Sequence, residues 1–72
     1  MPNELLCPIT LCIMADPVLA MDGHTYERAA IERWLRTRRT SPRTGAPLAS
    51  RQLVPNHAIR ALIADLPPAL RE

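Results

Sequence analysis

Residues 4–28 read ELLCPITLCIMADPVLAMDGHTYER. The stretch contains both cysteines of the chain, one of its two histidines, two X-Pro bonds and an Asp-Gly pair. It resembles the start of a small domain braced by a metal, but the ligand supply does not match. A four-coordinate zinc site would have to use Cys7, Cys12, His24 and His57 together, with no C-x2-C or H-x3-5-H pair among them. Cys7 and Cys12 are therefore read as reduced, partly buried thiols. No metal and no cofactor are expected, so something else must hold the chain.

Working outward, the 72 residues allow a single domain spanning 1–72. A domain this small removes only about 60% of its unfolded surface from water and needs an added constraint. With at most one disulfide available, an oligomer or an unusually complete polar network is left to supply it. Nine arginines stand against seven acidic residues for a net charge of +2, and lysine is absent altogether. No run of 18 apolar residues and no basic stretch leading into an apolar one is present, so neither a membrane span nor a signal peptide is expected. The expectation is a soluble, cytoplasmic chain.

Pro2, Pro8 and Pro17 each bar the preceding residue from helical angles, so residues 1–17 read as an extended loop. Val18 to Ala20 and Thr25 to Tyr26 flank Asp22-Gly23, a strong hairpin signal. From about Glu27 to Thr37, Ala30, Ile31, Trp34 and Leu35 recur at helical spacing. Glu27 near the start and Arg36 near the end suit the helix dipole. Pro42, Gly45 and Pro47 then break all periodicity, which makes 40–55 a second long loop. Asn56 offers an N-cap, and Ile59, Leu62, Ile63 and Leu66 follow at i, i+3, i+4 and i+7 until Pro67-Pro68, predicting a helix over about His57 to Leu66.

Seven short runs then stand in order: Cys7-Pro8-Ile9-Thr10, Met14-Ala15-Asp16-Pro17-Val18, Asp22-Gly23-His24-Thr25-Tyr26-Glu27-Arg28, Ile31-Glu32-Arg33-Trp34-Leu35, Ser41-Pro42-Arg43-Thr44, Pro47-Leu48 and Leu53-Val54-Pro55-Asn56. Each alone is weak. Together, from about Leu6 to Ile63, they resemble the U-box family of ubiquitin ligase domains. The resemblance implies an α+β, RING-like fold with two long loops, a β-hairpin, a central helix and a C-terminal helix, built without zinc. It also implies that hydrogen bonds and ion pairs replace metal bonds. Asp22, His24, Thr25, Glu27, Arg28, Ser41, Thr44 and Asn56 are the polar side chains available for that network. Taken singly, each also reads as an ordinary turn or cap residue.

On the first helix Ile31 and Leu35 share a face, and Trp34 lies about 100° from Leu35, at the edge of that face. Ile9 and Leu11, two apart in an extended loop, would point the same way. Pro42 reads as an exposed apolar knob. By resemblance, Ile9, Leu11, Trp34 and Pro42 match the shallow groove that receives two loops of a ubiquitin-conjugating enzyme. Core burial of Ile9 and Leu11 is the competing reading. The implied partners are a conjugating enzyme charged with ubiquitin and an unidentified protein substrate. The implied mechanism is orientation of the charged enzyme, with no covalent intermediate and no catalytic side chain.

At Gly45 the chain departs from the family, some members of which carry there a cation that bridges the conjugating enzyme and ubiquitin. Arg43 is the nearest substitute, pointing elsewhere if the loop is extended. Two other classes stay open. A small nucleic-acid module would use Arg33, Arg36, Arg38 and Arg39 as phosphate contacts, but acidic residues are interleaved and no aromatic stacking platform is present. A scaffold or dimerisation domain with this fold and no ligase activity is the other. Lacking lysine, the chain is also expected to be a poor acceptor of its own ubiquitin.

Overall fold

The computed structural model describes residues 5–67 and Ala69. The readings placed on Pro2 and Pro68 lie outside the described residues. In chain order the elements are β1 (Pro17–Leu19), β2 (Thr25–Glu27), α1 (Arg28–Thr37), β3 (Val54–Pro55) and α2 (His57–Ala64). The strands form one antiparallel sheet in the order β2-β1-β3. The architecture is the expected α+β arrangement.

The hairpin pairs Val18 with Tyr26 and Leu19 with Thr25. Its turn is closed by Gly23 N–H donating to the Ala20 carbonyl (3.1 Å) and Ala20 N–H donating to the His24 carbonyl (2.9 Å). Gly23 sits at φ +82°, a left-handed angle that glycine adopts without strain. β3 is an element that the sequence reading placed inside a loop. It pairs Val54 with Leu19 and Pro55 with Val18, on the free edge of β1, where a proline's missing N–H is tolerated.

Neither long loop is open. In the first, Leu6 bridges Ile13, Cys7 N–H donates to the Cys12 carbonyl (2.9 Å) and Leu11 N–H to the Cys7 carbonyl (2.7 Å). Residues 5–14 thus form a tight, self-paired loop rather than the extended segment predicted. Pro8 starts a turn there, and Leu11 takes a left-handed φ of +60°. In the second, Thr40 bridges Pro47, Ser41 N–H donates to the Ala46 carbonyl and Gly45 N–H to the Ser41 carbonyl, both at 2.8 Å.

The core gathers one to three residues from each part: Leu5, Cys7 and Met14 from loop one, Val18 and Ala20 from the hairpin's first arm, and Tyr26 from β2. Ile31 and Leu35 from α1, Leu48 from loop two and Ile63 from α2 complete it. Burying each large apolar side chain stabilises by about 1.5–3 kcal/mol. On α2 only Ile63 is buried, Ile59 and, just beyond the helix, Leu66 are partly buried against the core, and Leu62 is 52% exposed. The helix also stops at Ala64, two residues earlier than its apolar spacing suggested, as Leu66 N–H turns back to the Ile63 carbonyl.

Candidate functional site

The groove is held in place by polar contacts. Asp22 is the centre of them: its Oδ1 accepts from His24 N–H (2.9 Å) and its Oδ2 accepts from Tyr26 O–H (2.6 Å) and Ser41 O–H (2.7 Å). Ser41, 1% exposed, uses the same hydroxyl oxygen to accept the backbone N–H groups of Arg43 and Thr44. One carboxylate therefore ties the hairpin tip to loop two. Burial opposes its charge, but the hydrogen bonds from Ser41, Tyr26 and His24 outweigh it and hold the Asp22 carboxyl below its ordinary value. Burial first, and the Asp22 bond second, push the Tyr26 phenol up to about 12.

A second link fixes α1 to the end of loop one. Glu27, the residue just before α1, accepts Asp16 N–H at its Oε2 (2.9 Å), and Arg28 Nε pairs with Asp16 Oδ2 at 2.7 Å. The Asp16 carbonyl in turn accepts Arg28 N–H (3.0 Å), one of the donors a helix start leaves unpaired. The third link is Asn56, whose Oδ1 caps α2 at Ile59 N–H (3.1 Å) while its Nδ2 donates to Thr25 Oγ1 (2.8 Å). Asn56 is thus both a cap and a bridge between β2 and α2.

Two proposed network members act differently from expectation. His24 contributes backbone groups, and its imidazole makes no hydrogen bond among the described residues. Thr44 accepts Ala46 N–H within its own turn (3.2 Å) and cross-links nothing. Tyr26 and Asp16 join the network beyond the eight residues expected of it: a buried phenol needs a partner, and Asp22 stands four residues away. Cys7 is fully buried, its Sγ accepting Glu27 N–H at 3.3 Å, whereas Cys12 is exposed; the two thiols are free but not alike. Among the described residues, no group of three or more His, Cys, Asp or Glu side chains converges as metal ligands would.

Supported by these links, Ile9 from loop one and Ala30 and Trp34 from α1 line a groove of about 260 Å³, together with Arg33, Thr37 and Arg38. Trp34 is fixed twice: its Nε1–H donates to the Thr40 carbonyl at 2.7 Å, and the Arg38 guanidinium lies 4.3 Å from its ring centroid. The structure brings Ile9 and Trp34 together but separates Leu11 from them. Leu11, 75% exposed, lines a different recess with Leu6, Cys7, Pro8 and Arg43. The turn at Pro8–Thr10 removes the alternation that would have aligned Ile9 with Leu11. Pro42 is half-buried rather than an exposed knob. Arg43 also lines a recess with His24, Asn56 and Ile59, so it borders the loop-one recesses and not the tryptophan groove.

The sequence model of the U-box domain matches residues 1–66. The chain belongs to the U-box family. Among similar curated proteins, this U-box is 54% identical over 63 residues to WD repeat, SAM and U-box domain-containing protein 1 of Danio rerio, covering 86% of this chain and 13% of that protein. It is 52% identical over 64 residues to U-box domain-containing protein 54 of Arabidopsis thaliana, covering 88% of this chain and 21% of that protein. U-box domain-containing protein 8 of the same plant is 48% identical over 67 residues, or 90% of this chain and 18% of its own length. The U-box thus spans about a fifth or less of the relatives it matches. Family membership makes it a ubiquitin-ligase-type module.

Proposed function

We propose that this U-box binds a ubiquitin-conjugating enzyme carrying ubiquitin as a thioester and promotes transfer of that ubiquitin to a substrate amine. The observation supporting this most is the open groove in which a loop-one isoleucine and a doubly fixed tryptophan stand side by side. Rigid aromatic anchors in a small apolar groove suit docking of a partner's loop. Acceleration then comes from holding the charged enzyme in a reactive arrangement, the U-box itself supplying no nucleophile. The test is single-turnover discharge of ubiquitin from a panel of charged conjugating enzymes to free lysine, with and without the chain. Discharge unchanged for every enzyme would refute the proposal.

The polar links take the place of metal bonds in this reading. A chelator is expected to leave the melting temperature unchanged, and a marked fall would disprove it.

Gly45 stands where the bridging cation would act, at φ +76° and with nothing within 4 Å of a Cβ built on it. A Cβ there would meet no clash, but any side chain would strain the backbone by about 1–2 kcal/mol. Gly45→Arg and Gly45→Ala are therefore expected to lose similar stability in thermal melts. Only Gly45→Arg is expected to speed discharge, through charge-assisted hydrogen bonds in the closed assembly. Equal discharge rates in the two variants would remove position 45 from activation.

A further inference from the structure

The groove's rim carries charge that simple apolar docking leaves unused. Residues 28–39 hold five arginines and one glutamate. That glutamate, Glu32, lines a separate cleft with Arg28, Arg36 and Arg51. Among the described residues, the only charged side chains lining the Ile9–Trp34 groove are Arg33 and Arg38. Arg38 is stacked on the Trp34 ring, and its guanidinium makes no hydrogen bond or ion pair among the described residues. A stacked guanidinium keeps its in-plane N–H donors directed outward, in the fork geometry that matches a carboxylate.

Any loop that seats an apolar side chain between Ile9 and Trp34 brings its flanking residues against these two cations. Like charges there would oppose docking, and carboxylates would favour it. We infer that this U-box selects, among ubiquitin-conjugating enzymes, those with an aspartate or glutamate beside the apolar residue that enters the groove, Arg33 and Arg38 receiving the carboxylate. The inference rests on the docking proposed above and adds which enzymes are chosen. Charges at the rim of an interface act mainly on the association rate and its salt dependence.

The experiment is stopped-flow association of the chain with uncharged conjugating enzymes, at low and at high salt. Enzymes with the flanking acid are expected to associate faster than those without it, the difference shrinking as salt rises. Arg33→Glu and Arg38→Glu should each slow association with the acidic class by about tenfold or more at low salt. Glutamine at either position should have a smaller effect. Replacing the enzyme's flanking acid with arginine should restore fast association to the glutamate variants. If Arg38→Glu disturbs Trp34 and fails to fold, Arg33→Glu and Arg33→Gln carry the same comparison.

Association and salt slope unchanged by charge reversal, with binding weakened by Ile9→Ala, would overturn the inference and leave docking standing. A chain that bound no conjugating enzyme at all would overturn both. A steeply salt-dependent complex with an oligonucleotide, tighter than with any enzyme, would assign the arginines to nucleic acid and overturn it as well.

Discussion

Asp22→Asn is expected to be the most destabilising single substitution in the polar framework, lowering stability by about 2–4 kcal/mol. The Asp22 carboxylate serves two hydroxyl donors and a backbone N–H, and an amide in its place presents N–H groups to at least one of those donors. Ser41, buried at 1% exposure, would lose a charge-assisted bond in a position largely shielded from solvent. Against a total of about 4–11 kcal/mol for a domain of this size, that is a large share. The melting temperature should fall by about 10 °C or more. Tyr26→Phe removes one donor and leaves the other two bonds, so its cost should be about half as large. Equal losses would mean that Asp22 is not the shared partner.

The same contacts set the pH range of stability. The Asp22 carboxyl is held below its ordinary value, so its contribution is fully present above the unfolded carboxylate range, about pH 4, and is lost as pH falls through the lower folded value. The Tyr26 phenol is raised to about 12, so its contribution is complete below its ordinary value of 10.0 and declines as pH rises from there toward 12. Urea melts across pH should fall off at both ends, with the acid limb flatter in Asp22→Asn. An unchanged acid limb would remove Asp22 from the linkage.

The second large effect is expected at Trp34. Trp34→Ala should weaken conjugating-enzyme binding by about 2 kcal/mol or more, roughly thirtyfold, with discharge falling in parallel. The indole also bonds the Thr40 carbonyl and supports Arg38, so the alanine variant loses stability as well as an anchor. Ile9→Ala separates the two effects, because Ile9 only packs against the core edge and lines the groove. Calorimetric titration paired with a melt of each variant is the check. Binding unchanged in both folded variants would mean that the partner docks elsewhere.

Much of the fold is legible in the sequence because its signals are local. Asp22-Gly23 marks the turn, Ile31 and Leu35 at i and i+4 mark the buried face of α1, and Asn56 marks the start of α2. β3 carries no such signal. Two residues are too few for a period, Pro55 argues against a strand, and the pairing is created by an edge of β1 more than 30 residues away in sequence. Loop one misled for a related reason: three prolines forbid a helix but do not require extension, and the bridge from Leu6 to Ile13 closes on itself. That closure decides the site. Ile9 reaches Trp34 while Leu11, two residues on, is turned into another recess.

Trp34 is tied to Thr40, and the next residue, Ser41, is tied to Asp22. The anchor of the groove and the framework's shared carboxylate thus pull on adjacent peptide units. In a mutational scan scored by ubiquitin transfer alone, Asp22, Tyr26 and Ser41 would rank beside Ile9 and Trp34, and the map would draw them all as one contact patch. None of the three lines the groove. Scoring folded abundance alongside transfer divides such a map correctly, since a framework residue loses both together while a true contact loses transfer first.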